Sequence, residues 1–170
     1  MKNLIAAIRK MLGSGEDISN PGASALDYDR LVILDAETLA EGGIGQAYEQ
    51  LKPFLGLYVE FPAEIAEALD SNPPGYSVTC SGITYTIYSP AIHDPDDGAW
   101  GRATHALFTL INTQLEGSDV GFYAINGGND LGGMFLTSHQ VRAARESLAN
   151  KTDWPYLPTL EHPWYGQYHE

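Results

Sequence analysis

The sequence predicts an α+β domain: an antiparallel or mixed sheet of four to five strands, a long central helix, and further helices packed mostly on one face. Three observations predict it. "YSVTCSGITYTIYS" (76–89) and "DVGFYAINGGNDLGGMFLT" (119–137) alternate around turn residues, the pattern of half-buried hairpins. Between them, "GAWGRATHALFTLINTQL" (98–115) carries apolar residues at helical spacing over about five turns. The chain has 170 residues with 44% hydrophobic and 18% charged, which suits one hydrophobic core rather than a disordered segment.

The elements follow in order within a single domain, 1–170. "MKNLIAAIRKML" (1–12) places Leu4, Ile5, Ile8, Met11 and Leu12 at helical spacing, and bases flank its short apolar stretch with no small-residue cleavage site. It reads as a short amphipathic N-terminal helix rather than a signal peptide. Residues 13–29, rich in Gly, Ser, Pro and Asp, read as a linker, and the α+β core spans 30–150. "RLVILD" (30–35) reads as a strand. "AETLAEGG" and "GQAYEQLKPFLG" read as two short helices broken at Gly42–Gly43, with Ala47, Tyr48, Leu51 and Leu55 on the buried face and Pro53 bending or ending the second. "FPAEIAEALDSNPPG" (61–75) predicts another helix: Pro62 stands in its first turn, Ile65, Ala66 and Leu69 form its stripe, and Asn72–Gly75 stop it.

In the hairpin that follows, Ser81–Gly82 is the two-residue connection. The main helix buries Trp100, Ala103, Leu107, Leu110 or Ile111, and Leu115. Thr137 and Gln140 stand at capping-box spacing at the start of a last helix, "TSHQVRAARESL". The tail 151–170 carries prolines and aromatics in irregular order and reads as an extended arm packed across the surface.

Charge narrows the function classes. Nine bases against twenty-two acids leave −13, and the imbalance is concentrated in residues 35–97, where eleven acids face Lys52 alone. Such a field disfavours nucleic acid, whose phosphates require Lys and Arg to displace counterions. It favours a basic protein partner and speeds encounter with one. Glu60, Glu64 and Glu67, with Asp70, fall along one exposed edge of the helix expected at 61–75. Asp94, Asp96 and Asp97 extend the acidic set. Solubility alone is the plainer reading of the same charge. No apolar run approaches the roughly 20 residues that span a bilayer, so a cytoplasmic, membrane-independent protein is expected. The single Cys80 lies in a strand pattern as a buried thiol.

Candidate chemistry is sparse. "HDPDDGAW" (93–100) resembles only the start of a calcium loop, and Asp96 or Asp97 is better placed to cap the main helix. Five scattered histidines give no pair at i, i+4, so neither metal nor cofactor is expected. "AINGGNDLGGMFLT" runs from strand to strand with no Lys nearby, unlike a phosphate loop, and reads as a turn. Asn129 and Asp130 are the two side chains there that a turn does not explain. A small enzyme or ligand-binding domain using Asp130, Asn129 and His105 or His139 is the competing reading, and it requires those groups to share one pocket.

The small size, the acidity, and the "GGNDLGGMFLT" hairpin followed by a helix and a "WPY" tail resemble small acidic immunity proteins of bacterial polymorphic and contact-dependent toxin systems. They also resemble bacterial families of similar size without an assigned activity. The resemblance covers residues 120–158. It implies a non-enzymatic inhibitor that blocks a cognate toxin stoichiometrically, its acidic side chains facing a basic cleft, with a nuclease as the natural target.

Overall fold

Ser81 (φ 49°) and Gly82 (φ 81°) both adopt left-handed backbone, which matches the two-residue hairpin turn that joins β3 (Pro74–Cys80) to β4 (Ile83–Tyr88). In the computed structural model, which describes residues 26–93 and 98–169, this hairpin belongs to one of two three-stranded antiparallel sheets. The helix expected at 1–12, most of the 13–29 linker, and Asp94, Asp96 and Asp97 lie outside the described residues.

The architecture is α+β, but its sheet is split. One sheet has the order β2–β3–β4, with β2 at Ile65–Ser71. The other has the order β1–β6–β5, with β1 at Val32–Ile33, β5 at Val120–Ile125 and β6 at Gly132–Thr137. A single sheet of four to five strands was expected because the two hairpins share one core, and pattern alone does not say whether they pair with each other. Of "RLVILD" only Val32 and Ile33 form a strand, opposite Gly133 and Gly132, and Arg30 ends a 3-10 turn at Tyr28–Arg30.

The stretch 61–75 is the substantive correction. It forms no helix: Ile65–Ser71 is β2, and the turn at Asn72–Pro73 leads into β3. Ala and Glu favour helix locally, yet Ile65, Glu67 and Leu69 alternate with Ala66, Ala68 and Asp70, so the segment also fits period two. Pairing decides between them: every residue of β2 has a partner in β3, from Ile65 opposite Cys80 to Ser71 opposite Pro74, across a turn at Asn72–Pro73. The Val, Thr and Tyr content of β3 commits it to a sheet, and tertiary pairing overrides its neighbour's helix propensity.

The break at Gly42–Gly43 is present. A helical turn, Ala36–Thr38, is capped by Asp35 (Oδ1 accepting from Thr38 N at 2.7 Å) and runs into a widened π-type turn at Leu39–Gly43. Gly42, at φ 103°, separates these from α1 (Ile44–Leu55). Ile44, Ala47, Tyr48, Leu51 and Leu55 are its buried face, and Pro53 lies in its last turn, two residues before the end.

Helix α2 (Gly98–Gln114) packs against β4 on one side and β5 on the other, burying Ala103, Ala106, Leu107, Leu110 and Ile111. Asn112 pins it to β5: its amide donates to Phe122 O (2.8 Å) and accepts from Phe122 N (2.8 Å). Phe122 stacks on Phe108 (centroids 4.6 Å apart) and meets the tilted ring of Phe135 (4.7 Å). Helix α3 (Ser138–Ser147) starts with the expected capping box of Thr137 and Gln140. It covers a second cluster of Leu26, Ile125, Met134, Leu136, Val141 and Ala144. The β1–β6–β5 sheet therefore carries helices on both faces, not mostly on one. The tail meets β5 at one bridge, where Tyr156 and Ala124 exchange backbone hydrogen bonds of 2.8 and 3.0 Å, and is otherwise turned rather than extended, with a 3-10 turn at Lys151–Asp153 and turns over 162–166.

Candidate functional site

The conversion of 61–75 from helix to strand rearranges the acidic residues. On a strand, side chains alternate, so Glu67 points to one face of β2 and Asp70 to the other, with Glu64 just before the strand and Glu60 in the loop beyond α1. The acidic surface is instead a composite of β2 and the helical segment beside it. A Cβ built on Gly42 would lie 3.4 Å from Leu69, one built on Gly45 would meet the Glu67 carboxylate, and Lys52 Nζ reaches Glu64 at 2.8 Å. The helical segment thus runs along β2 in the opposite direction. Gly42, next in sequence to Glu41, lies against Leu69, and Glu49 and Glu64 share Lys52.

Within this surface, Glu67 has an internal duty. Tyr76, only 2% exposed, donates its hydroxyl to Glu67 Oε1 and accepts from Ile44 N, the first amide of α1, at 3.2 Å. Burial, reinforced by the adjacent carboxylate, pushes the Tyr76 phenol far above its ordinary 10.0, so the proton stays on the tyrosine. The helix start, the tyrosine and the strand are thereby joined in one relay. Lys52 bridges Glu49 (3.3 Å) and Glu64 (2.8 Å), and these contacts raise its pKa. Among the described residues, Glu37, Glu41, Glu60 and Asp70 have no ion pair within 4 Å.

The glycine-rich stretch forms the expected strand–turn–strand unit. Its connection is a single 3-10 turn, Gly128–Asp130, entered through Asn126 (φ 57°). Asn129 and Asp130 are exposed and line an open cleft of about 540 Å³ with Leu31, Ile33, Asn126 and Gln167. His105 and His139 do not line it. His105 is half-buried on α2 with Nε2 3.4 Å from Thr109 Oγ1, and burial lowers its pKa from 6.5. His139 is exposed in the first turn of α3. Neither histidine is therefore brought to Asn129 and Asp130. Among the described residues, no group of three or more His, Cys, Asp or Glu side chains is placed to hold a metal ion.

A second cleft, of about 320 Å³, lies between the tail, α2 and Gly127–Gly128, with Trp100, Thr104, Tyr165 and His169 among its walls. Its polar groups are already engaged. Gln167 donates to Thr152 O (3.0 Å) and meets His169 at 3.2 Å, His169 stacks on Trp164, and Tyr156 donates to Asn126 O (2.7 Å). This region is a clasp that fixes the tail. Sequence reading missed its anchor, the Tyr165 ring lying flat on Gly101. A glycine in the middle of an otherwise regular helix was the available signal for such a close approach. Among the described residues, no helix is long and apolar enough to cross a membrane. Set against known proteins, the chain matches no family model, no curated protein and no solved structure.

Proposed function

We propose that this protein is a non-enzymatic cytoplasmic binding protein of the immunity type, which takes a basic protein partner, such as a toxin, on its composite acidic face. The observation that carries the reading is a set of carboxylates without ion pairs among the described residues, Glu37 and Glu41 in the turns before α1, Glu60 in the loop after it and Asp70 on β2, beside Lys52, which Glu49 and Glu64 already hold. Unpaired like charges on one face raise the local potential, steer a cationic partner and penalise neutral or acidic ones.

The test is capture from lysate of the source cells at low salt, comparing the natural protein with a Glu41→Lys, Glu60→Lys, Asp70→Lys variant. Glu67 is left intact because its carboxylate holds Tyr76. The expected result is a basic protein retained by the natural chain, released by salt and lost with the variant, its association rate falling about tenfold or more as ionic strength rises. Retention of the same proteins by the charge-reversed variant would overturn the reading.

A further inference from the structure

We propose that the partner docks by strand addition: an extended basic segment pairs with the outer edge of β2, which no other strand among the described residues covers, and becomes a fourth strand of the β2–β3–β4 sheet. This rests on the acidic face taking a basic partner, and it adds how the partner is held.

Of the four sheet edges, β2 is the one suited to this. The β5 edge already carries Tyr156 of the tail, and β1 pairs over only two residues. At the β4 edge, which contains no charged residue, Arg102 of α2 donates to Ile87 O. β2 is seven residues long, lies at the end of its sheet, and is exposed from Ala66 through Ser71. Its outward groups follow from the register. The Ser81–Gly82 turn makes Cys80 and Ile83 a hydrogen-bonded pair, so the amides of Val78 and Cys80 face β4 and those of Ser77 and Thr79 face β2. Ala66 and Ala68, opposite Thr79 and Ser77, consequently spend their backbone groups on β3. Those of Ile65, Glu67, Leu69 and Ser71 point away from β3, to the edge that no other described strand pairs.

Charge selects the occupant. Self-pairing would bring Glu67 and Asp70 close to the carboxylates of a second β2, and like charges across a strand pair are destabilising. The same carboxylates admit a strand bearing Lys or Arg. Leu69, 58% exposed, offers an apolar contact between them. Main-chain hydrogen bonds would hold such a segment, and alternate side chains would set its selectivity.

The test uses two cationic probe peptides of equal charge at low salt. Lys-Val-Lys-Val-Lys-Val-Lys can extend as a strand, whereas Lys-Pro-Lys-Pro-Lys-Pro-Lys lacks every second donor and resists the ladder. The valine peptide is expected to bind about tenfold or more tightly, as a few net main-chain hydrogen bonds would give, and to shift the Glu67 and Leu69 amide resonances. Leu69→Pro, which removes an outward N–H while sparing the β3 ladder, should abolish the preference, and Leu69→Ala should keep it. Equal binding of both peptides to the natural protein would refute strand addition while leaving the acidic face standing. Binding of neither would remove both proposals.

Discussion

Tyr76→Phe tests the relay on which the acidic face is built. The hydroxyl it removes is buried, donates to the Glu67 carboxylate and accepts the first amide of α1. A hydrogen bond to a charged group contributes about 1.5–3 kcal/mol, and an amide left without its partner adds to the loss. Glu67 is itself exposed, so water re-solvates the carboxylate, and the low end applies: about 2 kcal/mol overall. For a domain of this size that is a fall in Tm of roughly 4–8 °C. Urea unfolding gives the free energy, and the Ile44 amide resonance reports the helix end directly. Glu67→Gln, which keeps an acceptor oxygen, should cost no more than about 1 kcal/mol. Because the folded phenol holds its proton above pH 10, natural stability should fall as pH rises past 10, where the unfolded chain ionises first. The Phe variant should show a shallower fall. A Tyr76→Phe protein within about 0.5 kcal/mol of the natural one would refute the relay.

Two further predictions concern other parts of the chain. Gly101→Ala should strengthen α2 by about 1 kcal/mol on helix propensity alone, yet its Cβ would fall 2.1–2.4 Å from three ring atoms of Tyr165. The expected outcome is faster proteolysis of the 160–168 segment with no gain in Tm. A Tm rise with unchanged cleavage would show that the ring does not anchor the tail. His105, whose pKa burial lowers, should destabilise the fold as pH drops below 6.5, because the unfolded chain takes up the proton more readily. Melting of the natural protein and His105→Gln between pH 7.5 and 5.5 should diverge in that direction, and parallel curves would remove the assignment.

Much of the framework was legible because its signals are local. Ser81–Gly82 can make a tight hairpin by itself, Gly42 marks a break that its φ of 103° requires, and Thr137 with Gln140 carries a capping box in four residues. The stretch 61–75 was not legible because its local and non-local preferences disagree. Prolines bracket it as they bracket a helix, Ala and Glu favour one, and only the partner strand reverses the outcome. The same fact hid the relay. Glu67 and Tyr76 are nine residues apart and meet only as diagonal neighbours across the β2–β3 pair. The excess of carboxylates was plain in the sequence. Which of them were free, and which were committed to Lys52 or Tyr76, depended on pairing.

That misassignment bears on what the acidity can do. Glutamates along one edge of a helix present side chains only, since the helix satisfies its own backbone, and charge would be the whole of the recognition. On an edge strand the same residues accompany a row of backbone donors and acceptors that no other strand among the described residues pairs. Such an edge invites any extended chain, including a second copy, unless something discriminates. Carboxylates on both faces of β2 oppose pairing with another β2 and cost nothing against a cationic strand. A need for solubility alone is met by acids on any surface. In the proposed mode, their position on β2, the longest edge strand among the described residues, is what connects the charge of this chain to binding.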